Sequence, residues 1–182
     1  MKPRTQKGFT LIELLIAAAV FTYVVTSVSA LFATALDLQR RASAVQKIEE
    51  NAQFALESIA REVRVSTVLS GDTTCSPVDP VKTATLKIHH PVNGDVTYTY
   101  NRIAGTGMLY RSDQYGNDQP ITASTVDITA FAFCVSGSGN DGQETRVTMP
   151  MKMEVVTGRS SSQVSVSLQT TVVSRDLSAE LK

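Results

Sequence analysis

The stretch LLIAAAVFTYVVTSVSALFATAL, residues 14–36, has no charged residue. Wound as an α-helix at ~1.5 Å per residue it is ~35 Å long, and a bilayer's hydrocarbon core is ~30 Å thick. Ala17–Ala19 and the hydroxyls scattered to Thr34 make it only moderately apolar. Glu13 is the one charge between Lys7 and Asp37, and Lys2, Arg4 and Lys7 precede it. By the positive-inside rule that basic start stays cytoplasmic, so the rest of the chain lies across the membrane. Hydropathy alone also fits a cleaved secretory signal, with Val28-Ser29-Ala30 as a small-x-small cleavage site. Against that reading, helical patterning runs on past the apolar stretch, and no Gly or Pro falls between Gly8 and Gly71.

The second half of this long helix has a different face to fill. Leu38, Val45, Ile48, Ala52, Ala55, Leu56, Ile59 and Val63 recur at helical spacing and form one apolar stripe. Arg40, Arg41, Lys47, Glu50, Glu57 and Arg61 occupy the other side. Val63, Val65 and Val68 weaken helix propensity, and Ser70-Gly71-Asp72 ends the pattern. One helix is expected from about Phe9 to about Val68, which is far beyond the common length of ~11–12 residues.

Beyond Gly71 the apolar period changes to two, the period of strands. Thr83–His90 and Asp95–Arg102 flank the turn Pro91-Val92-Asn93-Gly94, with Val96, Tyr98 and Tyr100 on one face. Further strands are expected at Met108–Arg111, Val126–Val135, Arg146–Val156 and Gln163–Val173. Pro150 argues for an edge or a bulge in its strand. Gly137–Gly142 and Gly158–Ser162 read as loops. The expected fold class is α+β: an antiparallel sheet whose buried face is covered by the helix stripe from Val45 to Val63.

Totals exclude several functions. The 182 residues carry 17 basic and 17 acidic side chains, and the pI is about 6.7. That balance gives no footprint for general nucleic-acid binding. There is no Trp, and the two His form one dipeptide. Two distant cysteines cannot build a zinc site alone.

Lys7-Gly8-Phe9-Thr10-Leu11-Ile12-Glu13-Leu14-Leu15-Ile16 resembles the class III signal of type IV prepilins and type II secretion pseudopilins. Residues 52–64, Ala52 to Arg64, look like the segment that follows the membrane in W-type minor pilins and J-type pseudopilins. Tyr98 to Tyr100, Leu109-Tyr110-Arg111 and Val126 to Phe133 resemble their sheet. The helix lacks the Gly or Pro that major pilins often carry late in the membrane segment, which favours a minor or pseudopilin role.

The resemblance implies a leader at residues 1–8, cut between Gly8 and Phe9 by prepilin peptidase, with N-methylation of Phe9. Residues 9–36 would be the transmembrane and assembly half of the helix, and 37–182 a periplasmic or extracellular pilin-like domain. The implied partners are other pilins or pseudopilins, an inner-membrane assembly platform and the lipid bilayer. The implied location is a single-pass inner-membrane protein that enters a type IV pilus, type II secretion or DNA-uptake filament. A carboxylate in an apolar helix costs ~2.5–3.5 kcal/mol near the membrane centre. Glu13 therefore needs a cation, and cutting at Gly8 creates one in the Phe9 amine. One turn of helix would allow pairing within the chain; the resemblance implies the Phe9 amine of a neighbour, which sets axial register. A disulfide between Cys75 and Cys134 is then permitted by the compartment and would contribute up to ~4 kcal/mol; two free thiols are the alternative.

Other constellations are weak. His89 and His90 point to opposite faces of a strand, a poor chelate. Asp113, Asn117 and Asp118 lie in a polar loop that reads as solvated rather than as a calcium site, because its spacing is not that of an EF-hand. The row Met149, Met151, Met153 reads as core. No catalytic residue, metal ligand, cofactor or specific nucleic-acid partner is expected, and the chain reads as a structural subunit rather than an enzyme. The competing reading is a membrane-anchored extracytoplasmic binding domain whose helix is only a tether, and such a tether needs neither Glu13 nor the Gly8-Phe9 junction.

Overall fold

The computed structural model describes residues 8–71, 84–103, 105–137, 144–155 and 164–174. They form one helix, α1 (Leu11–Arg64), and nine strands. The chain divides into two compact units that meet between Ala42 and Ser43. The first consists, in its described part, of Gly8–Thr10 and the first half of α1. The second holds the rest of α1 and all the strands.

In the second unit the stripe starts later than the spacing suggested. Leu38 is 62% exposed, Val45 is half-buried, and Ile48 is the first fully buried position. From there Ile48, Ala52, Ala55, Leu56, Ile59, Ala60 and Val63 join one core with the strands. The helix also stops at Arg64 rather than about Val68, and β1 (Thr67–Ser70) takes over. The β-branched run Val63, Val65, Thr67, Val68 explains the switch, since stiff χ1 rotamers suit a pleated strand better than a helix. At the junction the Ser66 hydroxyl donates to the Glu62 carbonyl (2.6 Å), and the Ser174 hydroxyl donates to the Ser66 carbonyl (2.5 Å).

The antiparallel structure is divided into two sheets. The first runs β1, β2 (Ala84–His90), β3 (Gly94–Ile103), β4 (Thr106–Ser112), β5 (Asp118–Pro120) in spatial order. Gly94 closes the β2–β3 hairpin with a φ of 69°, a conformation that L side chains rarely adopt. The His90 ring supports the same turn, because Nδ1 accepts from the Val92 and Asn93 amides. In the second sheet β8 (Arg146–Val155) is central, with β6 (Val126–Phe131) and β7 (Cys134–Ser136) along one side and β9 (Ser165–Val173) along the other. The two sheets meet at β6. There Tyr100 donates to the Ile128 carbonyl (2.9 Å), Arg102 pairs with Asp127 (3.1 Å), and the Gly107 amide donates to Asp127 (2.7 Å). A Cβ at Gly107 would collide with the Ile128 carbonyl, so glycine is what permits the approach.

The expected single strand Val126–Val135 is broken into β6 and β7, with a register shift between Ile128 and Ala130. Pro150 lies opposite the gap. It is not at a sheet edge, since β8 has neighbours on both sides. Its carbonyl accepts from Ala132, so its backbone nitrogen, which has no hydrogen, faces the same interruption. The proline is tolerated because the partner strand makes no demand there.

A polar clamp holds α1 to the first sheet. Arg111 on β4 grips Glu62 through Nε (3.1 Å) and Nη2 (3.1 Å), and the Tyr98 hydroxyl donates to the same carboxylate (2.5 Å). Both charged side chains are 22% exposed. Burial lowers the Arg111 pKa, but the Glu62 carboxylate outweighs it and the guanidinium ends above its usual value. Burial first, and Glu62 second, hold the Tyr98 phenol far above the ordinary tyrosine range. Burial likewise raises Tyr100. Glu62→Gln should destabilise the domain by about 2–3 kcal/mol, read by thermal melting, because it leaves the Arg111 cation half-buried and unpaired. The raised phenols set an alkaline limit. Unfolded tyrosines ionise near pH ~10, while the folded ones keep their protons. Stability is therefore full below pH ~10 and falls as pH rises beyond it.

Candidate processing and assembly site

Gly8, Phe9 and Thr10 precede α1 in non-helical conformation. The Thr10 carbonyl accepts the first turn of bonds, from the Glu13 amide (3.1 Å) and the Leu14 amide (3.3 Å), which makes Thr10 the N-cap residue. Glu13 then stands third in the helix, where the positive end of the helix dipole favours a carboxylate. The spacing Thr10-x-x-Glu13 is also that of a capping box. Among the described residues no cation lies within ion-pair distance of Glu13.

The surface that follows is apolar and uncovered. Phe9 is 83% exposed, and Leu11, Ile12, Leu14, Leu15, Phe21, Val24, Val28, Leu31 and Phe32 are exposed around the helix rather than along one stripe. A helix apolar on every side calls for lipid or neighbouring helices as its surroundings. This part of α1 is long and apolar enough to cross a membrane, and none of the apolar window is buried within the molecule. Its hydroxyls fit that setting. Thr22, Thr26, Ser27, Ser29 and Thr34 each donate to a backbone carbonyl of the preceding turn, at 2.8–3.0 Å. No serine or threonine hydroxyl from Leu14 through Leu36 is left to be satisfied by water, which removes most of the cost of these polar groups in hydrocarbon.

The remaining sites foreseen from sequence fall elsewhere. Cys134 is buried, 2% exposed, at the start of β7. Cys75 lies outside the described residues, as does the expected loop at Gly158–Ser162 and most of that at Gly137–Gly142. His89 pairs with Asp95 (2.7 Å), which is also bridged by Lys87 (3.1 Å). The hydrogen bond from His89 and then that from Lys87 hold the Asp95 carboxyl below its usual range. In the polar loop Asp113 accepts from the Tyr115 and Asn117 amides and from the Asn117 side chain, while Ser112 donates to Asp118. The loop thus uses Asp113 to order its own backbone. Met149, Met151 and Met153 lie in the core.

Sequence reasoning missed the Glu62 clamp. Its one available signal was position: Glu62 sits directly beside Val63 at the border of the buried stripe.

Residues 3–36 match the family model described as the Prokaryotic N-terminal methylation motif. Neither the curated proteins nor the solved structures gave a match. With that motif at its head and a long, uncovered apolar helix behind it, the chain is type IV prepilin-like.

Proposed function

We propose that the chain is a minor pilin or pseudopilin, of W or J type, and acts as a structural subunit of a type IV pilus, type II secretion or DNA-uptake filament rather than as an enzyme. Prepilin peptidase cuts it between Gly8 and Phe9 and methylates the new amine. Residues 9–36 sit in the inner membrane and then among neighbouring subunits, with residues 37–182 outside. The observation that carries this reading is the Gly8-to-Glu13 string at the head of a helix that its own chain leaves bare. A Cβ at Gly8 would meet no described atom within 4 Å, so the fold itself makes no demand for glycine there. The demand then comes from whatever binds that backbone, as a protease cleft does. A mere tether would need neither this glycine nor Glu13.

Mass spectrometry of the protein from cells with active peptidase tests this. The mature chain is expected to begin at Phe9 with one added methyl group. Gly8→Val is expected to leave the full-length chain in the membrane. An N-terminus at Met1, or one near residue 31, would show that the segment is a tether or a secretory signal.

A further inference from the structure

The outer edge of β9 is the one long strand edge among the described residues that nothing guards. β1 is short and irregular in register between Val68 and Ser70; β5 has three residues, including Asp118 and Pro120; β7 has three. The edge of β6 is occupied by Tyr100, Arg102 and Gly107. β9 spans nine residues, Ser165–Val173, and no described strand pairs with its outer side. From Gln163 to Ser174 there is no charge, no proline and no glycine. Natural edges are usually blunted by such residues or by bulges, because a bare ladder recruits another strand.

Two contacts fix which backbone groups face outward. The Ser174 amide donates to the Thr145 carbonyl (2.8 Å), so Ser174, and with it every second residue back to Val166, turns its backbone toward β8. Pro150 turns its carbonyl to the far side of β8, which makes Pro150 and Gln169 a pair without mutual hydrogen bonds. The close Thr148–Thr171 hydroxyl contact (3.0 Å) belongs to the same class of pair. Ser165, Ser167, Gln169, Thr171 and Val173 therefore direct their N–H and C=O groups to the open edge.

We propose that this edge pairs antiparallel with the β9 of a second copy, Gln169 opposite Gln169. In that register Ser165 faces the second copy's Val173, and Ser167 its Thr171. Every outward N–H and C=O of both strands is then satisfied, with no overhang. The inner row continues across the junction, with the β-branched pair Val166 and Val172 and the pair Leu168 and Thr170 meeting on the inward face. No charge opposes another, because neither strand has one. The inference stands on the second unit alone and does not depend on the filament reading.

The test uses the full chain in detergent, with cysteine substitutions oxidised by copper-phenanthroline and the unsubstituted chain as background. Gln169→Cys is expected to give at least tenfold more disulfide-linked dimer than that background. Antiparallel neighbours of this kind have Cα atoms ~5.5 Å apart, within disulfide reach. Ser165→Cys alone should stay at background, but mixed with Val173→Cys it should cross-link. Gln169→Pro removes only an outward N–H, so it should raise the dimer dissociation constant at least tenfold in sedimentation while leaving the melting temperature unchanged. If that variant does not fold, Gln169→Lys serves, since it sets two cations face to face. Cross-linking at residue 165 as strong as at 169 would mean a different pairing and overturn the proposal. So would a monomer at all concentrations, a dimer indifferent to both Gln169 variants, or cross-linking to a different protein instead of a second copy.

Discussion

Ile59→Asp is expected to leave a fragment of residues 37–182 unfolded at 25 °C. Ile59 is 0% exposed and sits mid-stripe between Leu56 and Val63, in the core that α1 shares with Leu86, Ile88 and Tyr98. The substitution removes an aliphatic side chain, at a cost of about 2–5 kcal/mol, and puts a carboxylate in a fully buried position where burial penalises its charge. Together these approach the whole stability of an ordinary domain, ~5–15 kcal/mol. Circular dichroism melting reads the result. Glu57→Ala is the matched control, because Glu57 is exposed and its i,i+4 partner Arg61 (3.2 Å) is exposed too; a change within about ±0.5 kcal/mol is expected. An Ile59→Asp fragment that melts where the parent does would mean that α1 does not cover the sheets in solution.

Glu13→Val is expected to insert and fold normally while entering filaments at least tenfold less well. Valine suits hydrocarbon better than a carboxylate does, so the membrane-bound level should not fall. The Thr10 carbonyl still accepts the first helical bonds, so the helix start survives. What disappears is the one negative charge on a surface otherwise made of Leu11, Ile12, Leu14 and Leu15. An apolar face attracts any other apolar face; a charge that must meet an amine attracts one position only and so defines register. The comparison is immunoblotting of membrane and sheared-filament fractions beside the wild type. Equal incorporation of the two proteins would remove Glu13 from the assembly mechanism and leave hydrophobic packing as the sole contact.

Much of this was legible in the chain itself because it rests on runs and periods. The uncharged stretch from Leu14, the stripe from Ile48 to Val63 and the alternation in β2, β3, β8 and β9 are one-dimensional patterns, and each element appears where its pattern lies. The head of the helix could be read without any other segment, since Gly8, Phe9 and Glu13 lie within six residues, and the methylation-motif match spans them. Element ends were less so: local propensity competes with packing, and β1 claimed Thr67 and Val68 from the helix pattern.

The sequence by itself thus determined the bare apolar helix, the amphipathic half behind it and the antiparallel class of the rest, because burial follows periodicity. Only the tertiary structure decided that the strands separate into two sheets, that Pro150 sits inside one of them opposite a break, and that Glu62 is held by Tyr98 and Arg111. It alone also decided that β9 ends its sheet, with no described strand along its outer side. Each of these depends on which strand lies beside which. That choice is made by contacts between residues tens of positions apart, such as Glu62 with Arg111 and Asp127 with Gly107, and no local pattern encodes them.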